Sequence, residues 1–211
     1  MRRVFVNPEA PHRDAVQEAA TLIRRGGLIA LPTDTLYGLA ADPFRRDAVA
    51  RVFEVKGRSA EQALPLIAFD IAQVTASLGR LTPIGERLAA AYWPGPLTLL
   101  VAAPPAVAPG VSAGTGRVGV RVPAAAVARA VCRAVGRPVT ATSANISGQP
   151  ATADPDEVER TLGARIDLLL DGGPTRGGAP STIVDVTEAA PRLVRAGVIA
   201  WDEILACMDR A

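Results

Sequence analysis

Lys56-Gly57-Arg58 sets two cations two positions apart around a glycine, so the backbone can approach a polyphosphate while both charges converge on it. Lys56 is the single lysine among 23 basic residues. An ammonium is a compact, mobile point charge, and a planar guanidinium does not replace it without loss. Cations at a helix C-terminus also relieve the helix dipole as plain solvated charge, and KxR alone does not separate the two readings. Ser143-Ala144-Asn145 offers a hydroxyl and an amide directly after an apolar run, although an ordinary turn uses the same residues as caps. Arg121 interrupts the apolar segment 118–122, where its charge calls for a bound anion or a structural carboxylate partner. Cations and oriented donors of this kind suit chemistry at phosphorus, where positioning and charge stabilisation do most of the work.

The residues that are missing narrow the alternatives. His12 is the only histidine and lies in a Pro-flanked N-terminal stretch, which suits a surface role; there is no HExxH zinc site, and a Ser-His-Asp triad would have to use His12. Cys132 and Cys207 form no CxxC and read as two ordinary buried thiols. The run Gly114-Thr115-Gly116-Arg117-Val118-Gly119 matches GxGxxG but leads into a strand rather than a helix, so it reads as a hairpin or loop. Gly172 to Gly178 is followed by no GK[ST], and the phosphate-loop reading fails. A net charge of +2 with 4% aromatic residues gives no footprint of a dedicated nucleic-acid binder. The longest apolar stretches, such as 97–107, are too short to span a bilayer, and Met1-Arg2-Arg3 opens no secretion signal, which together predict a cytoplasmic protein.

The elements that must carry these residues alternate between strand and helix. Strands are predicted over 4–6, 28–31, 64–69, 97–102, 118–122, 138–142, 168–170, 182–186 and 193–195, and helices over 14–25, 47–55, 71–78, 84–92 and 124–135. Asp154-Pro155-Asp156-Glu157 starts another helix, and a last one begins near Asp202. Two polar turns, 32–38 and 143–145, follow directly on buried strands, a favourable position for a site. No repeat or interdomain linker is evident, so residues 1–211 are expected to form one α/β domain.

Taken in order along the chain, Pro32-Thr33-Asp34-Thr35-Leu36-Tyr37-Gly38, Lys56-Gly57-Arg58, Arg121, Ser143-Ala144-Asn145-Ile146-Ser147-Gly148, Pro180-Ser181-Thr182-Ile183-Val184-Asp185 and Arg195-Ala196-Gly197 resemble the YrdC-type threonylcarbamoyl-AMP synthase family. The resemblance implies a twisted, mixed parallel and antiparallel sheet flanked by helices around an open, positively charged cleft. It implies synthesis of threonylcarbamoyl-AMP and pyrophosphate from L-threonine, bicarbonate or CO2 and ATP, with the product passed to the tRNA threonylcarbamoyl-transfer machinery.

Carried over residue by residue, the resemblance puts Thr35, Arg121, Ser143 and Ser181 around threonine, with Arg121 facing its carboxylate. Arg58, Gln62 and Asn145 meet ATP, Lys56 and Arg195 add charge at the phosphates, and Lys56 with Arg58 forms the catalytic pair. Thr33 and Tyr37 shape the cleft. Mg2+ is expected on the ATP phosphates, with no protein side chain as ligand. Ile67 stands where some relatives have a histidine near threonine, and Arg117 and Ala153 where certain relatives have small hydroxyl residues. On this resemblance the chain is expected to be of the short, single-domain form, without the extra C-terminal domain of the family's long form. An RNA-binding module using the same basic cleft, or a carbamoyl-transfer domain of the hydrogenase-maturation type, are the alternative readings, and weak tRNA binding is a further expectation for the synthase itself.

Overall fold

The structure is a computed structural model that describes residues 1–57 and 62–209. In chain order the strands are β1 (Arg2–Phe5), β2 (Ile29–Pro32), β3 (Tyr37–Ala40), β4 (Leu66–Ile67), β5 (Leu97–Ala102), β6 (Arg117–Arg121), β7 (Val139–Thr140), β8 (Thr142–Ser143), β9 (Leu168–Asp171), β10 (Thr182–Asp185) and β11 (Arg192–Arg195). The helices are α1 (Arg13–Arg24), α2 (Arg46–Lys56), α3 (Ile71–Leu78), α4 (Pro83–Tyr92), α5 (Pro109–Ser112), α6 (Ala126–Val135), α7 (Pro155–Leu162) and α8 (Trp201–Asp209).

The strands divide into two mixed sheets rather than one: a five-stranded sheet ordered β1-β9-β2-β3-β8 and a six-stranded sheet ordered β11-β10-β5-β6-β4-β7. In the first, β1, β9 and β2 run parallel, and the β2–β3 hairpin and β8 add antiparallel pairs. In the second, β5 pairs parallel with β10 and antiparallel with β6, which itself runs parallel to β4.

Segment 28–31 reads as an unbroken apolar run because both of its faces are covered. Leu28 and Ala30 point into one core cluster, Ile29 and Leu31 into the other. The second cluster is closed by two amphipathic helices: α1 presents Ala15, Val16, Ala19, Ala20 and Ile23, and α6 presents Val127, Ala128, Val131, Cys132 and Val135. Cys132 is fully buried, with its thiol pushed well above the ordinary value by burial, whereas Cys207 on α8 is only half-buried and corrects the expectation of two buried thiols.

Local chemistry sets the helix boundaries. The Asp70 carboxylate accepts from Gln73 N at 2.7 Å and caps α3. Thr82, followed by Pro83, starts α4, and Asp154 accepts from Asp156 N at 2.9 Å ahead of Pro155 to start α7.

The predicted strand 138–142 breaks in two, and this matters for the site. β7 pairs with β4 in the six-stranded sheet, whereas β8 pairs with β3 in the five-stranded one, so the chain changes sheets at Ala141. Ser143 therefore emerges where the two sheets meet. The predicted strand 64–69 shrinks to Leu66–Ile67.

Candidate functional site

A cavity of about 640 Å³ opens at this junction, within the range of small-molecule sites. Its walls are strands and the loops beside them. The β2–β3 turn supplies Thr33, Thr35 and Tyr37; β4 supplies Ile67; β5 and β6 supply Thr98, Gly119 and Arg121; β8 supplies Ser143; and β10 and β11 with their lead-in supply Ser181 and Arg195. Among the described residues, the charged groups on this lining are both arginines, Arg121 and Arg195.

The turn residues are held by their own hydroxyls. Thr33 Oγ1 donates to the Leu36 carbonyl at 2.7 Å and closes the tip of the hairpin. The Thr35 carbonyl accepts from Thr175 Oγ1 at 2.6 Å and from Gly177 N at 2.8 Å, which ties the tip to the glycine-rich loop preceding β10. Tyr37 is fully buried; its hydroxyl donates to Gly173 O at 2.7 Å and accepts from Gly172 N at 3.2 Å. Burial holds that phenol well above its ordinary value, so it acts as a neutral strut for the cleft wall.

Ser181 Oγ lies 2.8 Å from Thr98 Oγ1. Arg195 donates from Nη2 to the Ser181 carbonyl at 2.8 Å and to Ser181 Oγ at 3.2 Å, so its guanidinium is fixed at the cavity mouth. The motif Arg195-Ala196-Gly197 needs its glycine, because a Cβ at Gly197 would stand 2.3 Å from Pro180 O and 2.4 Å from Thr182 N.

Arg121 is 8% exposed, and burial first, then the like charge of Arg195, depresses its pKa, against which the nearby Asp34 carboxylate acts. Asp34 Oδ2 lies 3.3 Å from Arg121 Nη2. The ion-pair alternative for Arg121 is therefore realised, and yet the residue still lines the cavity.

Lys56 sits elsewhere. It ends α2 and is 2% exposed; its ammonium donates to Ser143 O at 2.6 Å, Asn145 O at 2.9 Å and Asn145 Oδ1 at 3.0 Å, and it is not among the cavity-lining residues. Gly57 follows at φ 59° and ends the helix in the left-handed region that glycine favours. Asn145 is likewise held internally, its Oδ1 accepting from Ser143 Oγ at 2.5 Å and its Nδ2 donating to Gln149 O at 2.5 Å.

Gln62 is exposed and outside the lining, and Arg58 lies outside the described residues. His12 is exposed, as its sequence context suggests. The GxGxxG match forms the lead-in to β6 in the antiparallel β5–β6 pair, as its strand context suggests. Arg117 points away to Asp185 and Glu188.

Thr98 and Asp34 were not singled out from the sequence. Thr98 alternates with Leu97 and Leu99 and looks like an ordinary strand polar residue. Asp34 was quoted only as part of its turn; the signal was a carboxylate placed between two threonines directly after a buried strand.

The fold and the cavity define a two-sheet α/β domain with an arginine- and hydroxyl-lined pocket. The Sua5/YciO/YrdC family model, described as "Telomere recombination", matches residues 21–197, and the chain belongs to that family. A threonylcarbamoyl-AMP synthase of Pyrococcus abyssi is 38% identical over 90% of this chain and 56% of its own length. One from Nitrosococcus oceani is 37% identical over 81% of this chain and 92% of its own length. The crystal structure of P. abyssi Sua5 complexed with L-threonine superimposes with a TM-score of 0.92 at 35% identity, covering 99% of this chain and 61% of that one. The chain thus spans little more than half the length of the archaeal relative. Among the described residues, no helix is long and apolar enough to cross a membrane.

Proposed function

We propose that this chain is an L-threonylcarbamoyladenylate synthase, a nucleotidyltransferase that makes threonylcarbamoyl-AMP and pyrophosphate from L-threonine, bicarbonate or CO2 and magnesium-bound ATP, for threonylcarbamoyladenosine formation in tRNA in the cytoplasm. The observation that carries this reading is the convergence of Thr35, Arg121, Ser143, Ser181 and Arg195, from five separate segments, on one cavity. Guanidinium forks bind carboxylate and phosphate oxygens, and strand-end hydroxyls fix a small polar ligand. Relatives of 37–38% identity named threonylcarbamoyl-AMP synthase, and the Sua5 structure complexed with L-threonine, support the choice of amino acid.

In this reading Arg121 holds the threonine carboxylate, and Thr35, Ser143 and Ser181 surround the rest of the amino acid. The threonine amine adds to CO2 and loses a proton, giving a carbamate. A carbamate oxygen then attacks the α-phosphorus in line, the bond to the bridging oxygen breaks, and pyrophosphate leaves with its electron pair. Arg195 and Arg58 supply positive charge to the triphosphate, with Gln62 and Asn145 beside the nucleotide. Lys56 acts by shaping the Ser143–Asn145 wall rather than by touching phosphate. Mg2+ would be held by the ATP phosphates and would neutralise their charge; Asp34, the carboxylate beside Arg121, is held by the Ala125 amide.

The test is pyrophosphate release from ATP that depends on both threonine and bicarbonate. Equal release with serine, or without amino acid, would count against the assignment. Arg58→Ala should lower turnover on the order of 100-fold by removing charge at the transition state. Filter binding to tRNA across a salt series separates the RNA-binding alternative, which predicts tight, steeply salt-dependent retention without turnover.

A further inference from the structure

We propose that Asp34 is a positioning residue for substrate binding, holding the Arg121 guanidinium so that its unused N–H groups face the cavity and the incoming carboxylate. The inference rests on the assignment of that cavity to an amino-acid substrate. Arg121 stays cationic despite its burial and requires a counter-charge. Among the described residues, Asp34 is the carboxylate that supplies it, at 3.3 Å.

The pair has an unusual division of labour. Asp34 Oδ1 accepts from the Ala125 amide at 2.5 Å, at the N-cap of α6, where Ala125 has no capping side chain of its own. The carboxylate is thereby locked to the helix. Its other oxygen, Oδ2, is buried and accepts no hydrogen bond from any described residue. Asp34 therefore neutralises Arg121 without occupying its donors, and the guanidinium makes no hydrogen bond to a described group.

Position supports the same conclusion. Arg121 lines the 640 Å³ cavity, whereas Asp34 is absent from that lining and borders a second cavity of 360 Å³. The carboxylate thus backs the arginine from behind, instead of standing in the place of the substrate. An arginine fixed in this way loses little side-chain freedom when it binds, which favours affinity.

Asp34→Asn keeps the shape and the oxygen that accepts from the Ala125 amide, removes the charge and sets an NH2 group where Oδ2 faced Arg121. It should raise the KM for threonine, and weaken threonine binding in calorimetry, about tenfold, while the KM for ATP and the melting temperature stay near those of the wild type. A purely structural cap predicts no change in either threonine measurement. Ala125→Pro supplies a second route: φ at Ala125 is −57°, which proline accepts, but the amide that locks Asp34 is gone. This variant should also weaken threonine selectively, and it decides the matter if Asp34→Asn fails to fold. Threonine affinity within twofold of the wild type in the folded variants overturns the role of Asp34 alone. A wild-type protein that binds no threonine overturns the reading of the cavity, and this proposal with it.

Discussion

Lys56 Nζ lies 2.6 Å from the carbonyl oxygen of Ser143, so the only ammonium side chain of the protein holds the backbone of one wall of the cavity. Two further oxygens, both of Asn145, also accept from it. Lys56→Met keeps the aliphatic stem and leaves buried oxygens without their donor, which should cost about 1–3 kcal/mol. Lys56→Arg should not restore the loss, because a planar fork does not present three divergent donors from one atom. Urea unfolding measures the energy, and amide exchange at Asn145 and Ser147 should accelerate in both variants. Unchanged exchange would mean that the wall is shaped by something else.

Arg195 and Ser181 form a second coupled pair at the mouth of the cavity, with Thr98 behind them. Removal of the Ser181 hydroxyl in Ser181→Ala takes away a group that bridges Thr98 and Arg195, and threonine KM should rise about tenfold, the scale of one hydrogen bond to a charged group. Arg195→Lys keeps the charge but not the two-nitrogen grip on the Ser181 carbonyl, and should act mainly on ATP KM. Steady-state kinetics with each substrate varied in turn checks both; reversed effects would exchange the two assignments.

The sequence carried the alternation of elements well, because both faces of 28–31 and 168–170 are buried and read as apolar runs, and α1 and α6 show clear helical stripes. It did not carry the split into two sheets. Residues 138–142 look like one strand, and only the pairing of β7 with β4 and β8 with β3 reveals the crossing at Ala141. The ordered motifs located Thr35, Arg121, Ser143, Ser181 and Arg195, which the fold brings to one cavity. Lys56 was expected at the phosphates because charge at a helix end is visible in sequence, whereas its carbonyl partners, 87 and 89 residues away, are not.

Gly119 forms part of the cavity floor, where an added Cβ would meet Thr98 Cγ2 at 3.2 Å and Leu100 Cδ2 at 3.3 Å. Valine suits an extended strand, so Gly119→Val should leave β6 in place and spend its bulk on the floor. The melting temperature should fall by several degrees, because Thr98 and Leu100 must give way to the added bulk, and the thermal shift produced by threonine should disappear. Retention of that shift would put the amino acid nearer the mouth.

Arg51 and Asp167 govern a separable part of the acid stability. Burial opposes ionisation of Asp167, but Arg51 Nη1 and Nη2 at 2.6 and 2.9 Å, together with the Leu28 amide at 2.8 Å, outweigh it and hold the carboxyl below its ordinary value. A depressed carboxyl pKa contributes stability that is complete above the unfolded-state value of about 3.9 and is lost as pH falls through the lower folded value. Both side chains are partly solvated, so the contribution is about 0.5–1 kcal/mol after screening. Arg51→Gln should therefore be less stable than the wild type by that amount at pH 7 and pH 5, and the gap should close at a third, more acid pH below the depressed folded value, where Asp167 is protonated in both proteins. Urea unfolding at these three pH values gives the comparison, and a gap that stayed constant into acid would assign Arg51 a packing role instead of a charge role.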